Sequence, residues 1–518
     1  MLKQLIASVL IISCFFSKAQ NITYEEDVFK KSIHGYNDSV FNNSFNVPML
    51  FPQVFIDSLK KEEKSNKSLV GRKLFDEHFV QISENNKYKI FLDPVFDFRM
   101  GTEDKNTLYK NTRGFILNGQ IGKNLVLRSE FYETQTTLPS YASDWVDTMK
   151  FIPGMIRMKP FGDNGYDYGA VFGQIIWSPL KNYSVRLGYD RFHIGNGYRS
   201  MLLSDASQPY TFLMNTYHFG KWSLSHNIAS LYNPDFNDRL NIPVSESGIY
   251  QQKWFSFTYL TYSPSDWLNL ALFESCVFMP KDSSGISFYP TSLIPLPLLI
   301  TVSNSLGKNR HSMIGLQANA VLKNKILFYT QLAADKIDFS KIKYQQGIQG
   351  ALQLGARYNF MDRGFVFGEL NIATNNAYTS SSSWTAYTQH DQPLAHPTGQ
   401  QFKECITGIH WQKKLLMLDL SLNYIWAGAL PVTDNYFRAD NYADTLFSGF
   451  YGSHNKHDRV VYMNFQIAYL INKETRFAAF ARLTLRDFKG ALNPTPENTL
   501  VYELGIRHII RKQYYDFF

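Results

Sequence analysis

The feature that most constrains this chain is a series of short turns, each flanked by segments in which apolar and polar residues alternate. The eight turns lie at residues 121–124, 178–182, 220–221, 263–266, 323–325, 362–364, 413–414 and 472–473. They recur at intervals of roughly 40 to 60 residues, a spacing that fits two antiparallel strands and one long loop per repeat. After the first turn, Leu125 and Leu127 share one face, and Arg128 and Glu130 share the other. The pattern predicts an all-β protein built from hairpins.

The alternation is typical of a barrel whose outer face contacts lipid. Such a strand points apolar residues outward and small or polar residues into the lumen for about ten residues. Two strands per turn give sixteen, and one segment before the first turn (90–99) and one after the last (500–510) raise the number to eighteen. One such segment alone would equally fit a soluble β-sandwich. Eight in succession favour a transmembrane antiparallel outer-membrane β-barrel of about 18 strands.

Composition excludes several other classes of protein. After the first twenty residues, no stretch reaches the roughly eighteen consecutive apolar residues of a spanning helix, so a helical membrane protein is excluded. The net charge of +8 is spread along the chain, which does not suit nucleic acid as a partner. Of three cysteines, Cys14 lies in the leader, so at most Cys276 and Cys405 could pair. Neither a cysteine-based zinc site nor a cofactor is expected.

The chain divides into three parts. Residues 1–19 read as a signal peptide, with Lys3, an apolar run and Ser17-Lys18-Ala19, although Cys14 also fits a lipoprotein box. Residues 20–86 are expected to form a partly helical periplasmic segment, with helical pieces at 54–64 and 72–80. Residues 87–518 are expected to form the barrel in the cell outer membrane.

The aromatic residues at 514–518 follow the last amphipathic segment. They resemble the signal that outer-membrane assembly machinery recognises.

Motifs for catalysis are missing from the sequence. There is no Gly-x-Ser-x-Gly elbow, no His-Glu-x-x-His helix and no phosphate loop, so we expect no enzyme. Asp76-Glu77-His78 could offer metal ligands, but three adjacent residues do not share a helix face, and we expect no metal site. Gly195-Asn196-Gly197 lacks the third glycine of a nucleotide motif, and it predicts instead a positive φ or a close backbone approach.

Charged residues fall on the inward face of two predicted strands: Asp93, Asp97 and Arg99 on the first, and Arg128 and Glu130 on the third. They predict either a network of buried ion pairs that closes the lumen or a path for polar ligands.

The long segments opposite the turns are expected to be outer loops, at 136–167, 194–210, 279–311, 373–400 and 426–457, where function usually lies. Residues 288–297 are too apolar for water, and we expect them to pack into the barrel mouth or against a neighbour. Aromatic, basic and amide side chains come together near 191–200, where rings could stack on sugars and polar groups could bond hydroxyls. The candidate ligand-binding residues are Arg191, His193, Asn196, Tyr198, Arg199 and Ser200. Aromatic residues also form the girdles of any such barrel.

Two segments carry a resemblance to a known family. Residues 71–78 with 93–98, and residues 192–205 with 158–162 and 166–168, resemble the gliding-motility protein RemB and the wider capsule-assembly Wzi-like group of outer-membrane proteins. The similarity extends over about residues 66 to 510. It implies a barrel of similar strand number, with a helical periplasmic segment, that binds or anchors surface polysaccharide.

The partners that the resemblance implies are surface polysaccharide, outer-membrane lipid and the machinery of gliding or capsule export. A channel for small polar solutes is the alternative function. The glycan, the oligomeric state, conduction through the lumen, the capsule or gliding role and the pairing of Cys276 with Cys405 stay open at this level.

Overall fold

The computed structural model describes most of the barrel and part of the preceding chain. The described residues are 45–46, 68–84, 87–233, 251–278, 294–299, 301, 310–323, 325–337, 348–360, 364–375, 377–380, 385–427, 458–490, 497–508 and 513–517.

Eighteen of the strands in this part of the chain form one closed antiparallel barrel, as the sequence predicts. The barrel closes because its first strand, β3(Tyr88–Glu103), pairs with its last, β24(Glu497–Arg507). The pairing runs from Glu103↔Val501 to Asp97↔Arg507. The barrel strands are β3(Tyr88–Glu103), β4(Asn106–Ile121), β5(Leu125–Thr136), β7(Gly165–Leu180), β8(Tyr183–Asp190), β10(Tyr210–Phe219), β11(Trp222–Asn233), β12(Gln251–Ser265), β13(Leu268–Phe278), β14(Arg310–Leu322), β15(Ile326–Ile337), β16(Ile348–Phe360), β17(Gly364–Ala373), β20(Phe402–Lys413), β21(Leu416–Ala427), β22(Asp458–Asn472), β23(Phe477–Lys489) and β24(Glu497–Arg507).

All eight predicted turns join consecutive barrel strands at one end of the barrel. They leave no room for more than a few residues between paired strands, which fixes the register of each hairpin. Because barrels of this class have short periplasmic turns and longer outer loops, this end is periplasmic and the opposite end is the outer one.

The outer face of the barrel is apolar. On β24, Tyr502, Leu504 and Ile506 are 52%, 66% and 39% exposed, whereas Glu503 between them points inward. An apolar belt of this extent around a closed barrel would be a liability in water and is matched by hydrocarbon. The chain is therefore located in the outer membrane. None of the helices in the described residues has both the length and the apolar character needed to cross a membrane.

The chain before the barrel is only partly as expected. Helix α1(Leu69–Phe75) begins earlier and ends earlier than the expected helix at 72–80, because Ser68 caps its first turn through Gly71 N. Beyond it, Phe79 N donates to Asp93 Oδ1 at 2.8 Å, and β2(Val80–Glu84) pairs with the lower part of β3. The boundary after residue 86 stays a prediction. The leader and residues 54–64 lie outside the described residues.

The described parts of the outer loops contribute to the core inside the barrel, together with inward-facing residues of the wall. Helix α2(Ser140–Met149), the short strands β6(Lys159–Phe161), β9(His193–Ile194), β18(Thr388–Gln389) and β19(Gln392–Pro393), and the loops around them lie at the outer end or in the lumen. The backbone of β1(Phe45–Asn46) pairs with β9. A cluster of buried apolar side chains joins these loops to the wall, among them Phe192, Leu202, Phe257, Tyr387 and Leu394.

The apolar segment at 288–297 is described only from Ile294 onward. Leu298 N and Thr301 N donate to the buried carboxylate of Glu274 at 2.8 and 2.6 Å, which ties the segment to the wall. Ile294 and Leu296 are 46% and 55% exposed. Residues 288–293 lie outside the described residues, so packing of the segment into the barrel mouth or against a neighbour stays a prediction.

The two cysteines that follow the leader are free thiols: Cys276 is buried, and Cys405 is exposed on the outer face of β20.

Candidate functional site in the barrel lumen

The charged residues predicted on the inward faces form ion pairs. Asp97 accepts from Arg99 Nε at 3.0 Å and lies 3.3 Å from Lys110 Nζ, while Arg99 Nη1 also reaches Glu503 at 3.4 Å. Asp97 is fully buried, so the pairing offsets the loss of its hydration. These contacts favour the network interpretation over an open path for ligands.

The other three charged residues predicted on the inward faces, Arg128, Glu130 and Asp93, also form pairs. Arg128 Nε lies 2.6 Å from Glu130 Oε1 on the same strand. Asp93 holds the chain before the barrel, because its second carboxylate oxygen lies 2.6 Å from Nδ1 of His78. Of the residues Asp76-Glu77-His78, at which no metal site was expected, His78 is therefore engaged with Asp93. No cluster of three or more His, Cys, Asp or Glu side chains that could hold a metal occurs in the described part of the chain.

The candidate ligand-binding residues all lie in the lumen loop, which we define as residues 191–209 between β8 and β10. Two glycines let the loop approach the wall closely. Gly195 has φ +115°, and a Cβ there would lie 2.2 Å from Gln331 Nε2. A Cβ on Gly197 would lie 2.6 Å from Glu369 Oε2. The sequence predicted a positive φ or a close backbone approach at Gly195-Asn196-Gly197, and the structure confirms both.

Arg199 is the centre of the lumen loop. Its side chain is 1% exposed, and Nη2 lies 3.1 Å from Glu404 Oε1 on β20 and 3.0 Å from Asp516 Oδ1 beyond β24. The rings of Tyr198 and Tyr514 each lie 5.0 Å from the guanidinium carbon. One cation thus joins the loop, the barrel wall and the chain after the last strand.

The charges around Arg199 are set by burial and by its partners. Burial alone would lower the pKa of Arg199, but the carboxylates of Asp516 and Glu404 raise it well above its ordinary value. Burial lowers the pKa of His396, against the opposing effect of Glu404. Because Nδ1 of His396 accepts from Thr398 N at 3.1 Å, its Nε2 carries the proton and donates to Glu404 at 2.6 Å.

The backbone of the lumen loop is bonded to inward residues of the wall. Glu369 accepts from Tyr198 N at 2.7 Å and from Arg199 N at 3.1 Å. Gln331 accepts from Met201 N and donates to Ile194 O, both at 2.8 Å. The loop is therefore held at fixed depth by side chains of two different wall strands.

The remaining candidates make internal contacts as well. Ser200 Oγ donates to Ile194 O at 2.6 Å, Arg191 Nη1 donates to Gly154 O at 2.9 Å, and His193 Nδ1 lies 3.4 Å from Asp205 Oδ1. Asn196 is half-buried. The structure brings the six candidates together, as expected for a site, but inside the barrel and not on an outer surface. Their role in ligand binding stays a prediction.

Sequence reasoning missed the wall side of this arrangement. The partners are inward-facing polar residues of the strands β15 to β21, which are Gln331, Gln353, Glu369, Asn371, Glu404 and Asn423. Their positions follow the alternation of each strand, so the same pattern that gave the strands could have identified them.

Comparison with known proteins finds the fold and no sequence family. No protein-family model and no curated protein matches the sequence. Among solved structures, the chain is similar to Wzi, an outer-membrane protein involved in group 1 capsule assembly in Escherichia coli and described as a carbohydrate-binding β-barrel. The TM-score is 0.50 at 12% identity, over 81% of this chain and 85% of that one. At this identity the likeness shows a shared fold.

Two further solved structures align with lower scores. OprD from Pseudomonas aeruginosa matches with a TM-score of 0.43 at 9% identity, over 85% of this chain and 99% of that one. OccAB1 from Acinetobacter baumannii matches with a TM-score of 0.42 at 10% identity, over 84% and 98%.

Proposed function

We propose that this chain is an outer-membrane barrel without enzymatic activity that binds or anchors surface polysaccharide, in capsule assembly or in gliding motility. The observation that carries the proposal is the filled lumen. A barrel of 16 to 18 strands ordinarily leaves an aqueous channel. Here the lumen loop and the residues around it occupy that space, with Arg199, Ser200 and His396 almost fully buried. The filling supports a binding function over the channel alternative.

The shared fold with Wzi adds to this reading, since that protein is described as carbohydrate-binding. The resemblance of residues 71–98 and 151–215 to the RemB and Wzi-like group points the same way. Capsule export or gliding machinery would then be a partner, in addition to the polysaccharide itself.

The outer hairpin formed by β6 and the start of β7 is where a polysaccharide would first make contact. A polymer is too wide to enter a filled lumen, so it must meet the outer surface. Phe161 on this hairpin is 38% exposed, and Lys159, Asp163 and Asn164 beside it are exposed as well. An aromatic ring next to charged and amide groups suits a sugar, which has an apolar face and polar edges.

Binding of purified surface polysaccharide to the detergent-solubilised barrel tests the proposal. We expect retention of the polysaccharide by the unaltered protein, and at least a several-fold loss in a Phe161→Ala, Lys159→Ala variant. The matched control is Phe219→Ala, Lys123→Ala, which removes an exposed phenylalanine and lysine at the periplasmic end. Equal binding by the unaltered protein and a denatured sample would refute the proposal, and equal loss in both variants would refute the assignment to the hairpin.

Deletion of the gene separates the two biological roles. Loss of surface polysaccharide staining with normal spreading on agar would support the capsule role, and the reverse result would support the gliding role. Normal staining and normal spreading together would contradict both.

A further inference from the structure

The chain does not remain at the periplasmic rim after its last strand. β24 ends at Arg507, beside the turn between β22 and β23. His508 N then donates to Phe96 O at 2.7 Å, and its ring accepts from Phe96 N at 3.1 Å. Residues Gln513–Phe517, which we call the inward segment, lie inside the barrel, where Tyr514, Asp516 and Phe517 are each less than a tenth exposed.

Asp516 is the main polar anchor of the inward segment. Its two carboxylate oxygens meet Arg199 Nη2 at 3.0 Å and the hydroxyl of Tyr198 at 2.8 Å. Its backbone oxygen accepts from Asn423 Nδ2 at 2.9 Å. Asp516 is therefore held through an ion pair and a hydrogen bond at its carboxylate and a further hydrogen bond at its backbone oxygen, and leaving these buried groups unpaired costs free energy.

Further contacts place the inward segment along the lumen axis. Gln513 Oε1 accepts from Lys110 Nζ at 3.2 Å, and the hydroxyl of Tyr514 donates to Asp205 at 2.7 Å. The ring of Phe517 packs edge to face against the ring of Trp145 on helix α2, with the ring centroids 6.4 Å apart. The segment therefore runs from Lys110 on the barrel wall, past the lumen loop, to helix α2 at the outer end.

We infer that the inward segment is an internal plug: it closes the barrel and holds the lumen loop in place. The strand number would otherwise give a channel. Arg199 joins the lumen loop to Glu404 on the barrel wall and has Asp516 as a second partner, so withdrawing the segment also loosens the loop. The nine residue-to-residue steps from His508 to Phe517 reach at most about 30 Å, which is sufficient to cross the apolar band of such a barrel.

The size of the segment makes the consequence testable. A polypeptide with its side chains is about 10 Å across, as sheets pack at that distance. Its removal leaves a path of that width through the lumen towards α2, wide enough for hydrated ions. A polymer would still be excluded, so conduction and polysaccharide binding report on different properties.

Single-channel recording in planar bilayers tests the plug. We expect no conductance steps from the full chain and clear steps after deletion of residues 513–518, with folding of each protein confirmed by its heat-dependent migration in gels. A synthetic peptide of residues 513–518, added in excess, is expected to abolish the steps. A folded deletion variant as silent as the full chain would overturn the inference, as would a full chain that conducts equally.

A second variant guards against a deletion that fails to fold. Tyr514→Phe with Asp516→Asn keeps the length of the chain but removes the hydroxyl bonded to Asp205 and the charge bonded to Arg199. We expect it to open intermittently, whereas Lys123→Ala at a periplasmic turn stays silent. Silence of the folded double variant would contradict the plug, whether or not the deletion folds.

Discussion

Replacement of Arg199 by methionine is the most informative single change in the lumen. Methionine keeps much of the volume but removes the guanidinium, which leaves the carboxylates of Glu404 and Asp516 without the cation that lies 3.1 and 3.0 Å away. Breaking a buried ion pair by removing one partner typically costs about 3 to 5 kcal/mol. We expect a loss of that size in the free energy of unfolding.

The assay is a urea titration of the barrel in lipid vesicles, followed by tryptophan fluorescence. The matched control is Arg459→Met, because Arg459 Nη2 lies 4.0 Å from Asp487 Oδ2 and both side chains are 42% exposed. A smaller loss is expected there. Combining Arg199→Met with Glu404→Gln should recover part of the stability, since the amide removes one unpaired charge. A loss below about 1 kcal/mol for Arg199→Met, the size of an exposed ion pair, would refute the reasoning.

Three other perturbations follow from the same contacts. Gly197→Val puts a side chain 2.6 Å from Glu369 Oε2, and we expect it to lower the free energy of unfolding by about 1 to 3 kcal/mol in the urea titration. The control Gly368→Ala meets nothing within 4 Å and should be tolerated. Burial holds the pKa of His390 at about 4, below its ordinary value of 6.5, so the unfolded chain takes up a proton here before the folded protein does. The free energy of unfolding should therefore fall by about 3 kcal/mol as the pH falls from 6.5 to 4. In His390→Gln the slope of stability against pH should be flatter over this range. Leu504→Arg places a charge on the lipid face and should cost about 2 to 4 kcal/mol in vesicles, and a smaller loss there would contradict the placement of β24.

The sequence predicted the barrel because its strands obey a simple physical rule. A residue that contacts hydrocarbon must be apolar, and its neighbours on the strand point the other way, so Leu504 and Glu503 are distinguishable without any structure. Short turns could be located for the same reason, since they interrupt the alternation. Strand count, closure and the inward face of Asp97 and Arg99 all follow from this rule.

The interior could not be predicted in the same way. The lumen loop has no periodicity, and its contacts join residues far apart in the chain, such as Tyr198 with Asp516. The aromatic residues at 514–518 were interpreted only as resembling an assembly signal, and nothing in the sequence indicated that Tyr514 and Phe517 lie inside the barrel, where Asp516 pairs with Arg199. The binding role of the candidate residues near 191–200 stays a prediction, and their burial was missed because alternation says nothing about how a loop folds.

The central claim is that lipid contacts the outer face of this barrel, and Cys405 offers a native position at which to measure it. Its cross-strand neighbours Leu370 and Tyr424 are both exposed on the same face. We propose to attach a fluorophore to Cys405 in a Cys276→Ala background, and to compare Lys123→Cys with Cys405 replaced by serine. The account predicts quenching at position 405 by spin-labelled lipid and not by aqueous iodide, and the opposite at position 123. Quenching at position 405 by iodide alone would contradict it.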